Sequence, residues 1–424
     1  MKILVLGSGA REHAIILALR SEEAEHEIFA APGNAGIAHD AQLVALDAND
    51  PAAVTAFANE YQVDLVVVGP EAPLVAGVAD AVRERGIPVF GPGRAAAQLE
   101  GSKAFAKRIM DAAGVPTGRA VRASSRAEVE AAFDELGAPH VVKADGLAAG
   151  KGVIVTADRE AALAHADAYL PFGPVLVEEF LDGPEVSLFF LSDGDHVLPL
   201  SPAQDYKRLG DGDEGPNTGG MGAYSPLPWL DGRFGSEQEF VDLVTHEIAE
   251  PVIRQLDAEG APFIGLLYAG LILTDGGVKV IEFNARFGDP ETQVVLPRLV
   301  DPLSELLLAA ASGHLEDHPR PAFADTVAVT VVLASEGYPA APVTGRPLTG
   351  LRAADAVEGV HLAHAATAES DGGLVATGGR VLNVVGVGTT FVEARDRVYR
   401  AVGEIGLEGG QHRTDIALRV AEGL

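Results

Sequence analysis

The chain has 424 residues, 47% of them hydrophobic, enough apolar surface for roughly two to four domains. Lys and Arg number 31 against 61 Asp and Glu, a formal charge of −30. That balance disfavours nucleic acid and anionic membranes as partners, because no basic block offsets it. The absence of cysteine excludes disulfides, thiolate catalysis and Cys-ligated zinc, and no uncharged apolar run approaches the roughly 18 residues of a membrane span.

The N-terminus, Met1 to Leu6, turns at once into Gly7-Ser8-Gly9 and the charged Arg11-Glu12. This reads as a buried strand entering a turn, not a secretory segment, and implies a cytoplasmic protein. To about residue 100, strands at Ile3–Leu6, Glu27–Ala30, Leu65–Val68 and Val89–Phe90 alternate with helices at Ala10–Arg20, Pro51–Tyr61 and Leu74–Arg85. That pattern predicts a doubly wound parallel sheet. Each strand runs into a turn: Gly7–Gly9, Pro32–Gly36, Gly69–Glu71 and Gly91–Gly93. Ligands bind such sheets beyond the carboxyl ends of the strands, so the turns line one crevice. Glu12 stands where a dinucleotide fingerprint needs its third glycine, and no acid ends the second strand, which argues against NAD. Gly7–Glu12 is read either as an anion site at a helix N-terminus, with Arg11 adding charge, or as a plain structural turn.

A second unit starts near Ser102. The helix Ser102–Ala113 carries Lys103 and Lys107, and the helix Arg126–Leu136 leads to a strand at His140–Ala144. Then comes the loop Asp145–Gly152. It joins Lys143 on the strand to Lys151 through small residues, Gly150 among them, that let backbone amides approach a triphosphate. It is not a Walker A loop, because Gly152 follows the lysine. Strands follow at Val175–Glu179 and Glu185–Leu191, linked through Phe180 and Leu181. Such a linker suits an adenine edge, and Glu185 a ribose; alone, the stretch also reads as a solvated acidic hairpin.

A polar loop spans 204–225, with Gln204–Arg208 and Pro216–Pro226 bracketing it. Long loops in compact domains are usually functional or disordered, and the charges, glycines and aromatics here suit an ordered substrate loop. A long helix at Ser236–Glu259 precedes strands at Gly265–Leu273 and Val278–Asn284. On the second strand, alternation puts Glu282, Asn284 and Arg286 on one face and Ile281, Phe283 and Ala285 on the other. A carboxylate and an amide oxygen two residues apart suit Mg²⁺, which takes the rest of its shell from water and phosphates. Arg286 is placed to hold a phosphate or a carboxylate. The alternative is an edge strand with a solvated face. Helices at Glu291–Val300 and Leu303–Ala311, a linker at Glu316–Pro321, strands at Thr326–Leu333 and Arg380–Val387 and a helix at Thr390–Val402 complete the chain.

Taken together, Lys143–Gly152, Glu178–Glu185, Gln204–Arg208, Asn217–Pro226 and Ile281–Thr292 resemble the phosphoribosylamine–glycine ligase family of the ATP-grasp superfamily. The Asn217–Pro226 run is its most distinctive part, and the match covers nearly the whole chain. The resemblance implies a multidomain α/β and α+β protein. An N-terminal phosphoribosylamine domain spans 1–101, and an ATP-grasp region spans 102–325 with a mobile lid near 118–190. A small α+β domain spans 326–424. It implies ATP and Mg²⁺ or Mn²⁺, with glycine and 5-phosphoribosylamine as substrates, in a monomer of purine biosynthesis.

By motif position, Lys103, Lys143, Gly150 and Lys151 hold phosphates. Glu178, Phe180 and Leu181 meet adenine, Glu185 the ribose, and Glu282 and Asn284 the metal. Gly9, Arg11, Glu12, Gly33, Asn34, Gly36, Pro70 and Glu71 surround glycine and phosphoribosylamine, together with Asp205, Lys207, Asn217, Gly219, Met221, Arg286 and Asp289. Arg286, Lys143, Asp205 and Lys207 are the implied catalytic groups. Two features depart from the pattern. The strand Gly265–Leu273 carries no further metal carboxylate, and Leu362–Thr367 lacks the family's aromatic and glycine. Another ATP-grasp ligase using bicarbonate or formate, or a nucleotide-binding protein without catalysis, are the competing readings.

Overall fold

The computed structural model describes residues 1–146 and 152–423. Gly150 and Lys151, expected at the phosphates, lie outside the described residues. The chain opens with a parallel sheet ordered Gln42–Leu43, Glu27–Pro32, Lys2–Gly7, Leu65–Val68, Val89–Phe90. The edge strand Gln42–Leu43 is an addition to the expected four. Ile3 and Val5 enter one hydrophobic cluster and Leu4 and Leu6 another. Burial on both faces explains why this strand reads as continuous apolar sequence. Sequential order reverses at Lys2–Gly7, which opens a crevice between the turns after Gly7 and Val68.

The helix Ala10–Arg20 forms as expected, whereas the one expected over Leu74–Arg85 is two: Glu71–Ala76 and Val78–Arg83. Gly77 breaks it with φ +85, and a Cβ there would meet Arg94 Nη2 at 2.8 Å. A further helix, Arg94–Gly101, brings Glu100 to the domain boundary.

The segment expected as a lid is, over Ala120–Glu178, an antiparallel sheet ordered Ala120–Ala123, Val175–Glu178, His140–Ala144, Val153–Thr156, backed by the helices Arg126–Leu136 and Arg159–Tyr169; Glu185–Leu191, expected inside the same bounds near 118–190, lies in the central sheet instead. Val129, Phe133, Leu163 and Val177 give it a core of its own. The central sheet, ordered Val197–Pro199, Glu185–Asp193, Ile264–Thr274, Gly277–Asn284, is also antiparallel. The long helix expected over Ser236–Glu259 is interrupted: Glu237–Val244 and Glu250–Ala258 flank a π-helical turn at Thr245–Ala249. Pro251 lacks an N–H and crowds the preceding turn, and the wider turn absorbs both defects.

The stretch 204–225 is not one loop. Gln204–Asp205 and Gly222–Ser225 pair with each other, and Gly222–Ser225 joins Val327–Ala334 in a sheet completed by Arg380–Gly388 and Val360–His364. Between them, Arg208–Gly210 and Glu214–Asn217 form a hairpin. The expected substrate segment is therefore built into the C-terminal sheet.

Candidate active site

The strand Gly277–Asn284 supplies the centre of the site, but its alternation is interrupted. Gly270 faces Glu282 while Leu271 faces Val280, so Ile281 is an extra, bulged residue. Val280, Phe283 and Ala285 are buried in one cluster. Ile281, expected in the core beside Phe283, is only half-buried, because the bulge turns it away. Its carbonyl instead accepts a hydrogen bond from Lys143 Nζ at 3.3 Å. Glu282, Asn284 and Arg286 remain half-buried.

Glu282 has no hydrogen bond or ion pair among the described residues, yet cations ring it. Burial works to raise its carboxyl, and Lys207, Lys143, Lys103 and Arg286 outweigh burial and hold it below the usual range. A charged carboxylate among cations, without a direct partner, fits a metal that bridges to phosphates. Among the described residues no three His, Cys, Asp or Glu side chains gather as a metal site. Glu282 and Asn284 offer two hard oxygens, which is enough for an ion that keeps water and phosphate ligands.

Lys143 pairs with Glu178 at 2.9 Å, and Lys107 pairs with the same oxygen at 3.2 Å. Glu178 is thus a buried bridge between lysines, and a nucleobase is left to the linker after it. Phe180 is exposed. The backbone N–H groups of Phe180 and Leu181 have no partner among the described residues, which leaves an open edge for adenine. Lys103 Nζ donates to Gly146 O at 3.0 Å, and burial lowers the pKa of both Lys103 and Lys107. Asp145, which sequence reasoning left unassigned, caps their helix from the lid strand: it accepts from Lys103 N at 2.8 Å.

The Gly7–Gly9 turn is filled by the protein itself. Glu12 accepts from Gly9 N at 2.6 Å and from Arg11 Nε at 2.6 Å. A Cβ on Gly7 or Gly69 would lie 2.6 Å or less from Glu12 atoms. The carboxylate occupies the place an anion would take, so of the two readings of this turn the structural one describes it. Asn34 is also committed. It donates to the carbonyls of Ser8, His364 and Ala365 and accepts from Gly36 N and Ile37 N. Gly36 and Gly33 leave room for neighbours, since a Cβ on Gly36 would lie 2.1 Å from His364 and one on Gly33 2.4 Å from Leu43. Pro70 starts the helix Glu71–Ala76, whose Glu71 lies 3.7 Å from Arg286 Nε.

Arg286 also pairs with Glu100 at 3.0 Å, and the other Glu100 oxygen accepts from Ala285 N at 2.7 Å. Arg286 Nε is buried without a hydrogen bond. Burial raises the Glu100 carboxyl although Arg286 opposes it. Arg286 therefore reaches the site from a cradle of two carboxylates, of which only Glu71 was expected nearby.

On the opposite wall, Lys207 contacts Glu185 directly, and Gln204 donates to Glu185 O at 3.0 Å. Burial pushes the Asp205 carboxyl up to about 7, against Lys207, while Glu291 and Glu185 add to the rise. Glu291 is buried and accepts from Tyr268 OH at 3.0 Å; neither residue stands out in sequence. Met221, expected at a substrate, is fully buried and serves the core, because Gly222–Ser225 runs inside a sheet.

Gly219 donates to Tyr338 OH at 2.9 Å and accepts from Arg380 at 2.6 Å. Arg380 also holds the Asp289 carboxylate at 3.2 Å and its carbonyl at 2.9 Å. Tyr338 and Arg380 thus tie together two expected substrate elements, and only the fold places them there. Asn217 lines a cavity of about 390 Å³ with Val155 of the lid, Arg208 and Pro339. Of the expected groups, Lys103, Lys143, Lys207 and Arg286 come close enough to act on Glu282, while Asn34 is committed to backbone contacts and Met221 is buried.

Three family profiles cover the chain: phosphoribosylglycinamide synthetase N domain at residues 1–100, its ATP-grasp (A) domain at 101–292 and its C domain at 328–419. A phosphoribosylamine–glycine ligase of Leifsonia xyli subsp. xyli is 69% identical over 422 residues, 99% of this chain and 100% of that one. One of Streptomyces coelicolor is 59% identical, over 99% of this chain and 100% of that one. The crystal structure of phosphoribosylamine–glycine ligase from Thermotoga maritima superposes with TM-score 0.81 at 33% identity, covering 98% of this chain and 100% of that one. A biotin carboxylase domain from Hydrogenobacter thermophilus, 17% identical with TM-score 0.68, shares the fold.

Proposed function

Because the chain belongs to the phosphoribosylglycinamide synthetase family, we propose that it joins glycine to 5-phosphoribosylamine with ATP, giving glycinamide ribonucleotide, ADP and phosphate in purine biosynthesis. The carrying observation is the set of cations converging on an unpartnered Glu282. A carboxylate is a poor electrophile, so the glycine carboxylate first takes the γ-phosphoryl group. The amine nitrogen then attacks the carbonyl carbon, inorganic phosphate leaves, and the nitrogen loses a proton.

Phosphoryl transfer needs positioning and charge neutralisation more than covalent help. Lys103 and Lys143 supply fixed charge for the phosphates. The open backbone at Phe180 and Leu181 receives adenine, and Glu185 a ribose hydroxyl once it releases Lys207. Glu282 and Asn284 would hold a divalent ion, Mg²⁺ or Mn²⁺, which would supply charge neutralisation to the phosphates. Arg286, held between Glu71 and Glu100, supplies positive charge for the glycine carboxylate or the transferring oxygens. Asp205, half deprotonated near neutrality, takes the amine proton beside Lys207. Holding both reactants in register can supply about 7–11 kcal/mol of the barrier. Glu12 fills the anion position at the first turn, so the substrate phosphate is held elsewhere on this wall, with Arg380 the nearest C-terminal cation to Asp289.

The reading includes a cytoplasmic monomer without nucleic-acid or membrane partners. The −30 charge disfavours nucleic acid and anionic membranes as partners; among the described residues no helix is long and apolar enough to cross a membrane. ADP release with each substrate omitted in turn tests the reaction.

A further inference from the structure

Asp205 and Lys207 flank Tyr206, and the three residues continue the antiparallel pairing of Gln204–Asp205. Tyr206 N donates to Gly222 O at 2.9 Å and Met221 N donates to Tyr206 O at 2.8 Å. In an extended segment, neighbours face opposite ways. Lys207 faces Glu185 in the cleft, so Tyr206 faces away, into the C-terminal unit. There its ring lies under Arg413, with the guanidinium carbon 4.7 Å from the ring centroid. Its hydroxyl accepts from Ala417 N at 2.9 Å.

Arg413 is 1% exposed and every arm of its fork is used. Nε and Nη2 hold Asp415 at 2.7 and 2.6 Å. Nη1 holds Asp213 at 2.7 Å and Arg208 O at 3.2 Å. Asp213 and Arg208 belong to the hairpin that follows Lys207 directly. The same tail segment grips that hairpin twice more, through Thr414 N on Asp211 at 2.7 Å and Gly212 N on Asp415 at 2.8 Å. A buried arginine that only filled space would not need a bidentate acid, a second acid, a carbonyl and a ring. Three of the four partners, the Tyr206 ring, Arg208 O and Asp213, lie on or just beyond the segment that carries Asp205 and Lys207, while Asp415 orients Arg413 from its own tail.

We propose that Arg413 is a positioning residue for amide formation: by stacking on Tyr206 and bracing the 208–217 hairpin, it fixes the direction in which Asp205 and Lys207 enter the cleft. The inference rests on the reading that these two side chains face glycine and phosphoribosylamine. The phosphate-holding groups, Lys103 and Lys143, lie on other elements, and Glu185 meets the ribose only once it releases Lys207, so loosening Lys207 costs ATP no contact and the effect separates the substrates. Loss of Arg413 weakens use of glycine and phosphoribosylamine and spares ATP.

The test compares Arg413→Gln, Arg413→Lys and Tyr206→Leu in the full-length protein, with circular dichroism to confirm folding. Arg413→Gln lowers kcat/KM for glycine by about tenfold to a hundredfold, the scale of a small misplacement. The KM for ATP stays within about twofold. Arg413→Lys, which keeps the charge over the ring, recovers part of the loss. Tyr206→Leu keeps the ion pairs, reproduces the same selective loss, and decides the matter if Arg413→Gln does not fold. Folded variants with unchanged glycine kinetics, or with ATP and glycine impaired equally, would overturn the assignment. Wild-type protein run alongside separates the two claims: if it releases no ADP with glycine and phosphoribosylamine, the reaction itself is wrong.

Discussion

Glu282 sits among four cations, since Lys207, Lys143, Lys103 and Arg286 all act on it. Glu282→Gln keeps the shape and removes the charge. The expected result is loss of glycine-dependent ADP release, with an unchanged circular dichroism spectrum; near wild-type turnover would remove Glu282 from the metal site. Asp205 makes a second prediction. With its carboxyl pushed up to about 7, kcat/KM for phosphoribosylamine rises with pH and levels off above that value. Asp205→Asn abolishes this acid limb as well as lowering the rate. Stability runs the other way. The folded protein holds the Asp205 proton more tightly than the unfolded chain, whose ordinary value is 3.8. Folding stability from this group therefore falls as pH rises from about 4 to 7. The thermal midpoint of Asp205→Asn should exceed wild type at pH 8 and approach it at pH 4, as differential scanning calorimetry can check.

Asp145 couples two elements, the lid strand His140–Ala144 and the helix Lys103–Ala113, because it caps the helix from across the gap. Replacing it by alanine should cost about 1 kcal/mol, the usual loss for a cap. ATP affinity should also drop, since this contact fixes the helix that carries Lys103 and Lys107; urea unfolding reads the stability loss and isothermal titration with a non-hydrolysable nucleotide reads the affinity, each against wild type. Much at this scale is legible in sequence. The strand Leu65–Val68 and the helices Ala10–Arg20 and Arg126–Leu136 are where periodicity puts them. Local pattern fails where non-local contacts decide. The bulge at Ile281 is set by pairing with Gly270 and Leu271, not by its own neighbours. The segment 204–225 looks like a loop until Val327–Ala334, a hundred residues on, supplies its pairing partner. Glu282, Asn284 and Lys143 could be found from residue type and spacing. Glu100, Glu291, Arg380 and Arg413 could not, since only the fold brings them to Arg286, Asp205, Asp289 and Tyr206 respectively.

At the scale of the whole molecule, the site is closed by contacts between distant parts of the chain. Asn34 joins the N-terminal turn to His364 and Ala365, and Arg380 joins Gly219 to Asp289. Asn34→Ala strips partners from buried backbone groups and should lower stability by about 1–3 kcal/mol in urea unfolding. Phosphoribosylamine use should suffer more than ATP binding if, as proposed, the Asn34 turn faces that substrate. The central claim is that lid, central strand and C-terminal sheet meet to pass a phosphoryl group from ATP to glycine and the acyl group to an amine. Its most direct test is ADP release by the wild-type protein with a divalent metal, glycine and freshly made phosphoribosylamine, each left out in turn. The account predicts that sustained release needs all of them. Release that persists without glycine, or that bicarbonate supports in its place, would contradict it.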